Sequence, residues 1–263
     1  MATPLLVATP LLEARDISKR FGRLQALHNV SLALPRGQTL ALVGDNGAGK
    51  STLIKILAGV HQPDSGEIWF EHRRVYLRSP TQARRLGIET VYQDLALVES
   101  MSIARNFFLG AEPARRVGPV SVLDTAKMHL TAESYLREIG ITSLTTAEKE
   151  IRLLSGGERQ AISIARAMYF GAKVMILDEP TSQLSIKEAR KVLDYIRDVT
   201  ARGLSTIFIT HNLSHVYPVA DVIVVLYHGR KVGEFLKGAA DPSVIESLIV
   251  KGDAEPAARA GGN

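Results

Sequence analysis

Apolar positions along this chain fall into two rhythms, and the places where the rhythm changes divide the molecule. Over residues 11–92 they come in short blocks: Leu11–Ile17, Ala26–Leu34, Thr39–Val43, Gly66–Phe70 and Gly87–Tyr92. These blocks are rich in Val, Ile, Leu and Thr and end at turn residues such as Pro35-Arg36-Gly37, which predicts strands. Helical spacing interrupts them at Thr52–Ala58, which stops near Gly59, and at Ser79–Arg85. From 93 to 170 the helical period takes over. Met101–Leu109, Asp124–Ile139 and Ser155–Phe170 predict helices, and Glu112–Pro119, with Pro113, Gly118 and Pro119, predicts an exposed loop. The first rhythm then resumes. Lys173–Leu177, Ser205–Thr210, Val222–Tyr227 and Arg230–Phe235 predict strands, the last two joined through His228-Gly229. Ile186–Ala201, with Val192, Leu193, Ile196 and Val199 on one face, and Ser243–Val250 predict helices. A helical unit is thus expected to be inserted at about 93–170 in an α/β domain.

Composition narrows the picture modestly. At 263 residues and 46% hydrophobic the chain can build a large core, and its apolar content is aliphatic, with 6% aromatics. That suits buried parallel strands covered by helices. A net charge of +5 is compatible with nucleic acid, anionic lipid, nucleotide or plain solubility, and selects none of them. The absence of cysteine excludes disulfides, thiolate metal sites and cysteine nucleophiles, and fits the cytosol. No stretch reaches the ~18 apolar residues of a membrane span, and Met1–Leu12, broken by Pro4 and Pro10, is a poor signal peptide. A membrane is therefore expected to be met through a partner. Residues 1–10 and 251–263 are expected to be flexible tails. Ala2-Thr3-Pro4-Leu5-Leu6 recurs as Ala8-Thr9-Pro10-Leu11-Leu12, which reads as a small duplication in a frayed tail without function.

The chemistry concentrates at Gly44-Asp45-Asn46-Gly47-Ala48-Gly49-Lys50-Ser51. This G-x-x-x-x-G-K-S run lies between a predicted strand and a predicted helix. Its glycines let backbone amides curl around phosphates, Lys50 can reach the β- and γ-phosphates, and Ser51 can ligate Mg²⁺. A second element, Val174–Glu179, is an apolar strand ending in two carboxylates. Asp178 is placed to hold Mg²⁺ and Glu179 to polarise an attacking water; a plain turn at Pro180 is the competing reading. The third is Leu154-Ser155-Gly156-Gly157-Glu158-Arg159-Gln160, where Ser155 and Glu158 fit a capping box. Its two glycines cost helix stability, roughly 1 kcal/mol each relative to alanine, and would bare amides to an anion. Gln93 and His211 each follow a predicted strand, at a position where a loop would face a nucleotide.

Assembled, these residues resemble the ATP-binding subunits of ATP-binding cassette (ABC) transporters, over about residues 11–250. The resemblance implies a P-loop NTPase fold with a mostly parallel sheet and an antiparallel β-subdomain at the N-terminal end. It also implies an inserted α-helical subdomain at about 93–170, between core segments of about 11–92 and 171–250. By position it assigns Phe21 to adenine stacking, Gly44–Ser51 with Thr52 to the Walker A loop, and Ser51, Gln93 and Asp178 to Mg²⁺. Ser155, Gly156 and Gly157 match the signature that completes the ATP site of an opposing subunit. Glu179 matches the catalytic glutamate and His211 the switch histidine, acting with Lys50 and Gln93. One departure is visible: Ser182-Gln183-Leu184-Ser185 replaces the usual Ser-Ala-Leu-Asp. That change, with Gly87–Leu97 and Asn106–Gly110, is similar to the simple-sugar (fructose- and ribose-type) import branch. The resemblance implies ATP and Mg²⁺ as cofactors, and as partners a second copy, integral-membrane permease subunits and, indirectly, a sugar-binding protein, with no nucleic acid. It implies a peripheral position on the cytoplasmic face of a bacterial inner membrane. Another cargo, such as branched-chain amino acids, and a soluble non-transport ABC ATPase are the alternatives.

Overall fold

The computed structural model describes residues 9–141 and 146–253. Most of the two tails expected to be flexible, and the first copy of the Ala-Thr-Pro-Leu-Leu repeat, lie outside the described residues. In chain order the strands are β1 (Pro10–Phe21), β2 (Leu24–Pro35), β3 (Thr39–Val43), β4 (Ser65–Phe70), β5 (Arg73–Val75) and β6 (Ile88–Val91). They continue with β7 (Ala114–Val117), β8 (Val120–Leu123), β9 (Val174–Asp178), β10 (Ser205–Ile209), β11 (Val222–Tyr227) and β12 (Arg230–Leu236). The helices are α1 (Lys50–Leu57), α2 (Pro80–Leu86), α3 (Ile103–Phe108), α4 (Thr125–Glu138), α5 (Gly156–Tyr169), α6 (Ile186–Ala201), α7 (Leu213–Val216) and α8 (Pro242–Lys251).

Strands β2-β1-β4-β5 form an antiparallel sheet, and β12-β11-β3-β10-β9-β6 form the main sheet. The main sheet is parallel from β11 to β6, with β12 antiparallel at its edge. Side chains alternate across it with period two. Leu40 and Leu42 of β3, Val174 and Ile176 of β9, and Ile207 and Ile209 of β10 join a core shared with the antiparallel sheet and with Leu53, Ile54, Ile56 and Leu57 of α1. Ala41, Val43, Met175, Leu177 and Phe208 point the other way, into a core built with α3, α4, α5 and α6. A strand covered on both faces needs no polar alternation, which is why β3, β9 and β10 read as continuous apolar runs.

The inserted helices hold together around aromatic contacts: Phe107 meets Phe108 at 5.1 Å and Tyr169 at 5.5 Å between ring centroids. Buried Asn106 ties the preceding turn down. Its amide donates to the carbonyls of Val98, Met101 and Ser102, and its Oδ1 accepts from the Val98 amide at 2.7 Å.

Two expectations are corrected. Glu112–Pro119 is not a simple loop, because β7 and β8 pair there as a hairpin around Gly118-Pro119. All of its residues are exposed, so no burial alternation marks it in the sequence. Leu11 and Leu12, in the second copy of the repeat, are not frayed; they lie in β1 at 2% and 0% exposure. Strand β1 begins at Pro10 and α8 runs to Lys251.

Candidate functional site, a nucleotide-binding cleft

Strand β3 runs into the glycine-rich loop, and the loop runs into α1. Gly49 caps α1 with φ 101°, and no side chain hydrogen-bonds the helix start. The first amides of α1 are therefore left for an external acceptor. Glycine is required here for a second reason that the sequence does not display. A Cβ on Gly49 would meet the Ala26 carbonyl and Leu27 Cδ2 at 2.8 Å, and one on Gly44, with φ 153°, would collide with the Leu226 carbonyl. The loop is wedged between β2 and β11. Lys50 Nζ donates to the carbonyls of Gly44 at 2.7 Å and Asp45 at 3.0 Å. Burial lowers its pKa, against the opposing charges of Glu179, Asp45 and Asp178.

The loop opens on a cleft of about 340 Å³ lined by Asn46 to Thr52 together with Gln25 and His228. Gln25 and His228 escaped the sequence reading, since neither belongs to a motif. Phe21 is exposed and is not among that lining. Its ring meets His61 edge-on at 5.3 Å and Lys19 Nζ at 5.6 Å.

Strands β3 and β9 flank β10, so the loop and the two carboxylates emerge on either side of one strand. Asp178 is held above the usual carboxylate range by burial first and by Glu179 second, with Lys50 and Lys55 opposing. Glu179 adopts φ 49°, a left-handed conformation that costs of order 1 kcal/mol or more in a non-glycine residue. Its amide donates to the Ile209 carbonyl at 3.0 Å, and its Oε1 lies 2.9 Å from His211 Nδ1. Its second oxygen, Oε2, is buried with no hydrogen-bond partner among the described residues. A strained, oriented carboxylate with one acceptor atom unassigned suits a group that positions water. His215 extends the cluster, with Nδ1 2.9 Å from Thr181 Oγ1. Burial lowers its pKa, the Glu179 charge opposing and the His211 charge assisting. His215 belongs to no motif in the sequence, and tertiary packing alone places it here.

The start of α5 carries the expected capping box: Ser155 Oγ accepts from the Glu158 amide at 3.3 Å, and Glu158 Oε2 accepts from the Ser155 amide at 3.0 Å. Its glycines serve packing as well. A Cβ on Gly156 would meet Leu184 Cδ2 at 2.5 Å, and one on Gly157 would meet Glu188 Cβ at 3.3 Å. The first turn of α6 leans on that spot. Ser185 caps α6 with a second box, accepting from the Glu188 amide at 3.4 Å while Glu188 Oε2 accepts from the Ser185 amide at 3.0 Å. The same S-x-x-E pattern stands at 185–188 in the sequence and was not read there.

Gln93, Gly156 and Glu179 line one open cleft of about 290 Å³, with buried Gln160 beside them. The mouth at the phosphate loop is lined by none of Ser155, Gly156 and Gly157. Within one chain, then, the loop and the α5 start face different clefts. The metal candidates Ser51, Gln93 and Asp178 all offer oxygen. Among the described residues no group of three or more His, Asp or Glu side chains forms a ready cage. That donor set fits Mg²⁺, which keeps water and phosphate ligands rather than demanding an all-protein shell.

A glycine-rich loop leading into an uncapped helix start at the carboxyl end of a parallel sheet, with two carboxylates one strand away, is the architecture of a phosphate-binding nucleotide domain. The ABC transporter family model matches residues 27–182, and the chain belongs to that family. It is 46% identical over 227 residues to a fructose import ATP-binding protein of Rhizobium meliloti, covering 85% of this chain and 87% of that one. It is also 46% identical over 220 residues to a xylose/arabinose import ATP-binding protein of Sulfolobus acidocaldarius, covering 84% and 86%. Among solved structures, a nucleotide-free ATP-binding cassette of an ABC transporter superposes with a TM-score of 0.77 at 24% identity, covering 90% of this chain and 98% of that one. Its likeness extends to the fold. Among the described residues no helix is long and apolar enough to cross a membrane.

Proposed function

We propose that this chain is the ATP-hydrolysing subunit of an importer, energising uptake of a monosaccharide through partner membrane subunits. The observation that carries the chemistry is Glu179, oriented by His211 at the end of a buried strand and separated from the phosphate loop by β10 alone. The identity to import ATP-binding proteins along most of both chains supports the sugar assignment.

In this reading, Gly44 to Ser51 and Thr52 hold the triphosphate, with Lys50 leaving its loop carbonyls for the β- and γ-phosphates. Phe21 stacks on the adenine. Ser51, Gln93 and Asp178 would hold Mg²⁺, which would supply charge neutralisation to the phosphates. Asp178 gains an opposite charge that offsets the burial raising its pKa. Glu179 accepts a proton from, or orients, the attacking water, and His211 fixes its carboxylate and reaches the γ-phosphate. Ser155, Gly156 and Gly157 complete the site of a second copy. The separation of the α5 start from the loop mouth within one chain supports this, because neither half is whole alone. The Gln93 segment transmits closure to permease subunits at the cytoplasmic face of the membrane, and a sugar-binding protein delivers the cargo to them.

Calorimetric titration with MgATP should give one site per chain, and vesicles holding the permease should take up monosaccharide only when the chain and ATP are present. A folded chain without affinity for MgATP would overturn the enzymatic reading; uptake of an amino acid in place of sugar would overturn the cargo.

A further inference from the structure

The carboxylate of Glu188 stands over the start of α5. Its Oε1 lies 3.5 Å from the Gly157 amide, and a Cβ built on Gly156 would sit 3.9 Å from the same oxygen. Its Oε2 is anchored from behind by the Ser185 amide at 3.0 Å and the Ser185 hydroxyl at 2.7 Å. Those bonds from Ser185 hold the Glu188 carboxyl below the usual carboxylate range, so it is ionised throughout the neutral region. An anion of the chain's own therefore occupies the position toward which the α5 amides direct an anion.

We propose that Glu188 sets the ATP concentration at which two copies close, by holding in its own chain the Gly157 amide of α5 that the partner's γ-phosphate must take. This rests on the shared-site reading above. A phosphate arriving at Ser155, Gly156 and Gly157 meets a fixed like charge and must displace it or sit beside it. Either raises the ATP required. Glu188 is a positioning residue, acting through α5 and not on the reacting atoms.

The test uses the full chain carrying Glu179→Gln, in which closed dimer should accumulate, and measures the MgATP concentration for half-maximal dimer by light scattering. Glu188→Gln keeps a side chain that completes a capping box while removing the charge. It should lower that concentration roughly three- to tenfold. Glu188→Lys should lower it further. With Glu179 intact, Glu188→Gln should lower KM for ATP and leave kcat unchanged, a split that loss of a merely structural cap would not produce. An unchanged half-maximal concentration in both variants, or the reverse order, overturns the proposal. Failure of the Glu179→Gln chain to dimerise at any ATP concentration overturns the shared-site reading itself, and is distinguishable because no Glu188 variant is involved.

Discussion

Glycine stands at both helix starts, as the cap of α1 and as the first residue of α5, yet the two ends are built in opposite ways. The α1 end has Gly49 as its cap, no side-chain hydrogen bond and a loop locked by contacts with β2 and β11. The α5 end carries a capping box of Ser155 and Glu158 and has Glu188 of α6 leaning over it. A missing cap costs about 0.5–2 kcal/mol, so the bare α1 end is tolerable where a phosphate completes it. It is a preformed cradle. The α5 end is content on its own, which suits a surface that engages an anion only when a second molecule presents it. Under the proposed function, the difference separates binding by one chain from hydrolysis by two.

Four changes would break or sharpen that contrast. The largest effect is expected from Glu179→Gln, which leaves both helix ends intact and removes the base: turnover should fall ~10²–10⁴-fold, roughly 3–5 kcal/mol, while MgATP binding persists. Phosphate-release assays beside calorimetry measure both, and wild-type turnover would remove Glu179 from its role. Next, Gly157→Asp places a second carboxylate on the capped end, against Glu188. Hydrolysis should drop by roughly two orders of magnitude through lost charge stabilisation, with nucleotide affinity of the single chain unchanged. Normal hydrolysis in that variant would mean that α5 plays no part in the site. Gly49→Ala attacks the uncapped end. A left-handed alanine pressed on the Ala26 carbonyl should cost about 1–3 kcal/mol of stability, read as a lowered melting temperature, and weaken ATP binding with it. The smallest effect is expected from His215→Gln, which touches neither end. The folded pKa of His215 lies below its ordinary 6.5, so on acidification the unfolded chain takes up the proton first. Stability is therefore lost from about pH 6.5 downward through the lower folded value, and the variant should melt less steeply with acid over that window. Identical acid profiles for the two proteins would place His215 in an ordinary environment.

Much of this was legible along the chain because it is local. Thr39–Val43, Ile186–Ala201 and Val222–Tyr227 have the bounds that their periodicity predicts. The phosphate loop and the Ser155–Glu158 box are written within eight and four consecutive positions. The β7–β8 hairpin was not legible. Its strands bury nothing, so Pro and Gly dominated the pattern. Leu11 and Leu12 belong both to a repeat that reads as a frayed tail and to the apolar block Leu11–Ile17 that reads as a strand, and pairing of β1 with β2 and β4 decides for the strand.

Local signals of this kind depend on residues within one or two turns of each other, and backbone geometry converts them directly into strands, helices, a phosphate cradle and a cap. Packing alone decided the rest: that Gly44 must lie bare against Leu226, that His215 meets Thr181, and that Glu188, 31 residues along the chain, comes to rest over Gly157. Those contacts arise where two sheets and a helical insert meet, and no periodicity within a single segment encodes which surfaces will touch.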